Sequence, residues 1–308
     1  MMLKAFGIDV SRWQGNFDFA KAKKEGVKFA ILRGAYAAPY CNGGKDTKFE
    51  EYYKKAKAQR LNVGVYQYSM AQTVAQAKQE AEFLYNYCLK GKQFELPIYI
   101  DVEDNVQKRL GKRLLTDIVK AWCKYLEGKK CFVGIYASKS FFDSYLYDGE
   151  LTAYTHWVAQ WANSCTYTPA NILGMWQFGG ETNTIRSNKV AGVTCDQDYM
   201  LRDFPTEIKI AGLNGFTKEV KISMGEITGI NISRVTNALI LITDGRKTTG
   251  FNRWGCDVII NNKGIITNVV VEKANTAIPS GCICLSGHGT NEKYLIEHCK
   301  VGSKLKIG

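Results

Sequence analysis

The stretch Pro97-Ile98-Tyr99-Ile100-Asp101-Val102-Glu103-Asp104 runs from apolar strand-forming residues directly into acid. A continuous apolar run marks a strand covered on both faces, as in a parallel sheet. Side chains alternate along a strand, so Asp101 and Glu103 are expected on the same side, roughly 6–7 Å apart at ~3.3 Å per residue. Two carboxylates at the end of a buried strand resist ionising together, so one keeps its proton while its neighbour is charged. Glycosidic bond cleavage requires that pairing of an acid and an anion across a sugar ring. Taken alone, the stretch also fits a solvated acidic loop or a metal site.

The elements that would carry these carboxylates alternate in type. Strands are expected at 5–10, 28–34, 62–68, 97–103, 131–137, 155–161, 173–178 and 193–199, and helices at 16–25, 47–60, 72–90 and 113–128. Thr47 reads as a helix N-cap with Glu50 three residues on, and Gly26 and Gly128 as helix stops. Five β-α units followed by strands with little helix between them predict an α/β fold, a (β/α) barrel irregular in its last third. In such barrels the active site lies at the carboxyl ends of the strands. Read in order, those ends bring Asp9, then Arg33 and Tyr36, then Tyr66, then Asp101 and Glu103, then Tyr136, then Trp157 and Trp161, then Gln177, and last Asp196 and Asp198. Any one of these rings is most simply core. Eight strands all ending in acids, aromatic rings and amides suit a saccharide, whose C–H faces stack on rings and whose hydroxyls bond amides.

With those ends in view, residues 1 to about 204 resemble the family 25 glycoside hydrolases, the Chalaropsis-type lysozymes common among phage endolysins. The motifs are Asp9-x-Ser11-x-x-Gln14-Gly15, Tyr99-Ile100-Asp101-x-Glu103, Trp157-Val158-Ala159-x-Trp161, Trp176-Gln177-Phe178 and Val193-Thr194-Cys195-Asp196-x-Asp198. The resemblance implies a flattened, TIM-like (β/α)5(β)3 barrel. It also implies hydrolysis of the β-1,4 bond between N-acetylmuramic acid and N-acetylglucosamine in peptidoglycan, with retention of configuration and without a metal or other cofactor. It makes Glu103 the proton donor, with Asp9, Asp101 and Asp196 around it. Tyr36, Tyr66, Tyr136, Trp161, Gln177, Asp198 and Arg33 are expected to bind substrate. Asp198 departs from the family pattern, which usually has Asn at that place. A non-catalytic glycan-binding barrel, or a glycosidase of another polymer, is the alternative.

The 308 residues are comfortable for two domains. The net charge of +12 is shared by both halves, so no single tail explains it. Basic proteins collect on polyanions, including a bacterial wall with its teichoic acids. Nothing resembles a nucleic-acid-binding module, and no apolar run reaches the ~20 residues of a membrane span. The sequence enters its first strand almost at once, with no secretory signal pattern. Synthesis in the host cytoplasm and action at the wall after release are therefore expected, with the scattered cysteines reduced. A zinc site at Cys282 and Cys284, with His288 and His298 nearby, is the weaker reading of that C-x-C.

Beyond residue 204 the composition turns β-rich. Glu207-Ile208-Lys209-Ile210 is expected to begin it, followed by Thr217–Ile222, Ala238–Thr243, Val258–Ile260, Ile265–Val271 and Cys282–Leu285, with a hairpin turn at Asn261-Asn262-Lys263-Gly264. Residues 205–308 are thus expected to form a small, mostly-β domain. Its role would be wall binding, with teichoic acid as a ligand, or homo-oligomerisation through exposed strand edges. Ser286-Gly287-His288-Gly289 reads as a structural turn, because adjacent Ser and His cannot easily reach each other.

Overall fold

A computed structural model describes residues 4–217 except 171–172 and, beyond them, the backbone of six strands. The chain divides into two compact units, Met1–Glu219 and Val220–Gly308.

The first unit is a closed barrel. Its strands are β1 (Ala5–Val10), β2 (Phe29–Tyr36), β3 (Asn62–Tyr68), β4 (Ile98–Asp101), β5 (Val133–Ser138), β6 (Thr155–Ala159), β7 (Leu173–Gly179) and β8 (Asp196–Met200). Strands β1 to β7 pair in parallel with their sequence neighbours. The last strand, β8, closes the ring between β7 and β1 and runs antiparallel to both. Five helices fill the connections: α1 (Phe19–Lys24), α2 (Phe49–Ala58), α3 (Val74–Leu84), α4 (Lys112–Glu127) and α5 (Lys139–Tyr145). None follows β6 or β7. The barrel is therefore of the expected (β/α)5(β)3 kind, and its shared fold class is α/β.

The period of the apolar residues explains the layering. Along α4, Leu115, Ile118, Val119, Trp122, Cys123 and Leu126 recur at helical spacing and are all fully buried. They pack on strands whose residues are buried on both faces, as in β2, where Ala30, Ile31 and Leu32 are inaccessible. Inside the ring, Phe29, Ile31, Tyr99, Trp157, Met175 and Met200 form a second cluster.

Local details differ from the sequence reading in three places. Thr47 does not cap α2. The N-cap is Lys48, which has no side-chain cap, and Asp46 braces the entry, its side chain accepting from Lys48 N at 2.9 Å and its carbonyl from Phe49 N at 3.1 Å. Glu207–Ile210 is not a strand. It lies in a sixth helix, α6 (Phe204–Ala211), capped by Asp203 with Pro205 in its first turn. Its Phe204 and Ile208 are buried in the cluster inside the ring, so this apolar alternation belongs to a helix face. Finally, β8 does not meet the site with its carboxyl end, because it runs the other way.

In the second unit, Ile227–Ile232, Leu239–Thr243 and Arg246–Thr249 form one antiparallel sheet. Cys256–Ile260 lies between Ile266–Val271 and Ile283–Gly287 in another. The expected segments from Ala238 to Leu285 fall on these strands to within two or three residues. The side chains of Cys282, Cys284, Ser286 and His288, most of Thr217–Ile222 and the turn at 261–264 lie outside the described residues.

Candidate active site

A cleft of about 210 Å3 opens at the end of the barrel where β1 to β7 terminate. Asp9, Arg33, Tyr66, Asp101, Glu103, Tyr136, Gln177 and Asp196 line it, and so do Ser11, Trp13, Gln14, Tyr68 and Trp157.

The acids arrive from three directions. Asp101 is the last residue of β4, and Glu103 follows two residues later, just past the strand. Asp9 and Asp196 are direct partners in the β1–β8 pairing. Because β8 is antiparallel, its first residue lies at the same end as the last residues of the others. Two residues on, Asp198 is drawn down opposite Gly7 and is fully buried below the cleft. There its Oδ1 accepts the Trp157 indole N–H at 2.8 Å. Asp198 therefore does not line the cleft.

A ladder of hydrogen bonds fixes the floor. Gln177 donates its amide to Asp9 Oδ2 at 2.9 Å. Its carbonyl accepts from Tyr136 Oη at 3.1 Å and from Trp161 Nε1 at 3.0 Å. Trp161 thus stands beside the site through Gln177, outside the lining and 44% exposed. Gly180 admits it: a Cβ there would lie 2.0 Å from Asp196 Oδ1 and 2.6 Å from the Trp161 ring. Tyr36 also stands back from the lining, its ring 5.7 Å from that of Tyr68. Arg33 is held by Asp46, Nε to Oδ2 at 2.8 Å.

Electrostatics favour protons on this cluster. Burial raises the Asp9 carboxyl well above its ordinary range, and Asp196 and Asp198 add to it. Burial and then Glu103 raise Asp101, against the nearby Arg33. Glu103 is raised by burial and by Asp104, and Lys108 opposes them. Asp196 is pushed up to about 6, again mainly by burial. Asp101 Oδ1 is buried and has no hydrogen-bond partner in the protein. The arrangement therefore offers carboxyl groups biased toward holding a proton, and an Asp101 oxygen without a protein partner, in one polar cleft.

Four contributors were not among the residues expected to catalyse or to bind substrate. Trp13, 73% exposed at the rim, sits in a short helical turn capped by Ser11 and Gln14. Tyr68 donates to Asp104 Oδ2 at 2.9 Å and so ties β3 to the loop carrying Glu103. Trp157 and Asp46 complete the set. Tyr68 could have been read from its place beside Tyr66 at a strand end; Asp46 had no local signal.

The family model for glycosyl hydrolases family 25 matches residues 8–186. The chain belongs to that family. It is 25% identical over 202 residues to Lysozyme M1 of Streptomyces globisporus, a match covering 62% of this chain and 65% of that protein. It is also 25% identical over 245 residues to the autolytic lysozyme of Clostridium acetobutylicum, covering 79% and 68%. The chain thus spans about two thirds of the length of these curated relatives. The bacterial lysozyme of Streptomyces coelicolor has the same fold, with a TM-score of 0.57 at 20% identity over 67% of this chain and 96% of that one.

Proposed function

We propose that this family 25 protein is an N-acetylmuramidase. It hydrolyses the β-1,4 bond between N-acetylmuramic acid and N-acetylglucosamine in bacterial peptidoglycan and acts at the cell wall. The observation that carries this reading is the acid pair, buried Asp101 at the end of β4 and half-buried Glu103 beyond it, in a cleft lined by aromatic rings. Two lysozymes among its relatives support it.

Glu103 protonates the leaving oxygen. Burial and Asp104 raise its pKa, the direction that favours the protonated donor. Positive charge then grows at the anomeric carbon. Asp101 meets it either directly or by polarising the substrate's N-acetyl group, whose oxygen attacks from within the sugar. The unpartnered Asp101 Oδ1 suits the second route, because it is free to accept the N-acetyl N–H. Both routes retain configuration. Asp9 and Asp196 hold the sugar and set the charge around the pair. Tyr66, Tyr136 and Trp13 supply stacking faces, with Tyr36 and Trp161 behind them.

The test is release of reducing ends from purified peptidoglycan, compared with chitin. Activity on peptidoglycan alone supports the reading. Equal activity on chitin points to a broader glycosidase, and no activity on either points to a glycan-binding barrel.

The second unit, Val220–Gly308, is proposed to bind the wall, with teichoic acid as a ligand; self-association of this region is the rival. Labelled fragment incubated with sacculi separates them. Salt-sensitive binding supports the first, and dimers in sedimentation without wall binding support the second.

A further inference from the structure

The end of the barrel opposite the cleft carries a second cavity, of about 180 Å3. It opens where β4 and β5 begin, at Ile98 and Cys131. Among the described residues, four lysines line it, Lys90, Lys92, Lys129 and Lys130, and no carboxylate does. Of these four, Lys92 is the one with an acidic partner among the described residues, Glu50, which it shares with Lys45. Lys129 lies over the rings of Tyr85 and Tyr125, which leaves its charge intact.

The cavity is rigidly built. Buried Asn214 ties its walls together, its side chain accepting from Phe132 N at 2.7 Å and donating to the Leu96 carbonyl at 2.8 Å. Its backbone bonds Phe94 and Lys130. Lys130 itself has φ +60°, a left-handed conformation in which glycine is the low-cost residue. A cation at a helix end complements the helix dipole. That accounts for one lysine after α4. It does not account for four lysines lining one concavity, one of them on a strained backbone.

We propose that this cavity binds phosphate groups of an anionic phosphodiester polymer, holding the barrel to the wall through a face remote from its active site. Lysine binds phosphate as a point charge. A polyanion releases condensed counterions when it does so, which offsets the mutual repulsion of the four cations. The choice of a wall polymer rests on the muramidase reading; the preference for phosphate does not.

The probe is poly(glycerol phosphate) of defined length, titrated into the full chain at low salt. Lys90→Gln/Lys129→Gln/Lys130→Gly should weaken binding about tenfold and lower the slope of log affinity against log salt by about 2. The control Lys54→Gln/Lys78→Gln/Lys189→Gln removes the same charge from exposed sites outside the cavity and should change affinity less than about threefold. Equal loss in both variants, or no binding by the parent, overturns the proposal. So does polyglutamate binding as tightly as poly(glycerol phosphate), because the cavity would then read charge and not phosphate. Lys130→Gly alone relieves the left-handed strain, so it should fold at least as well as the parent while binding less tightly; unchanged binding overturns the proposal too. Hydrolysis of phosphate-stripped peptidoglycan should be the same in parent and triple variant. Failure of the parent there defeats the muramidase reading instead.

Discussion

Trp157 donates its indole N–H to Asp198 at 2.8 Å, and only the first of these two residues reaches the cleft. Asp198 is therefore a support beneath the site. Its carboxyl is raised well above the usual range, chiefly by burial and also by Asp196. Asp198→Asn keeps the acceptor for Trp157 and should retain most activity, whereas Asp196→Asn should reduce it clearly. A buried carboxyl with a raised pKa stabilises the fold below its unfolded value near 4 and loses that contribution as pH rises toward its folded value. The Asn variant escapes this loss. Its melting temperature should exceed the parent's by a margin that grows from about pH 4 upward.

Glu103→Gln should lower turnover of peptidoglycan by about 10²–10⁴-fold with the fold intact, since Gln is isosteric but donates no acid proton. Circular dichroism and turbidity clearance measured together check this. More than about a tenth of parental activity would remove Glu103 from the role.

The pH profile identifies the neighbour that tunes the acid. The donor must be protonated, so activity falls as pH rises through its pKa. Asp104 raises Glu103 and Lys108 lowers it. Asp104→Asn should therefore move the alkaline limb to lower pH, and Lys108→Gln should move it higher. The sequence alone suggested Asp101 for this part. In the folded chain, burial and Asp104 do it.

Arg33→Met should destabilise the barrel by about 3–5 kcal/mol, because it strands the buried Asp46 carboxylate without its ion pair. Urea unfolding followed by tryptophan fluorescence measures it. A loss under about 1 kcal/mol would mean that water or the Arg12 and Lys48 amides satisfy Asp46 unaided.

Proton NMR of the first product should show the β anomer, as retention requires. An initial α anomer would exclude both routes through Asp101.

The sequence made the parallel strands legible because their apolar runs are continuous and each ends at a polar residue. Asp9, Asp101, Glu103 and Gln177 were found this way. Strand direction was not legible. Asp196 and Asp198 sit two apart on one short strand, and only the antiparallel course of β8 puts the first at the mouth and the second beneath it. Contacts between distant segments, such as Asp46 with Arg33, leave no periodic trace. The segment Glu207–Ile210 alternates like a strand, yet Asp203 and Pro205 had already supplied the cap and first turn of a helix.

Ring closure by β8 also has a consequence for biosynthesis. Until Asp196 and its neighbours leave the ribosome, β1 has a parallel neighbour on one side and an open edge on the other. Asp9 precedes Asp196 by about 187 residues, which is roughly 10–40 s of translation at ~5–20 residues per second. The full acid cluster therefore cannot form before residue 196 has emerged, and any shorter nascent chain lacks it. During that interval the exposed edge of β1 is also the place where two incomplete chains would pair wrongly.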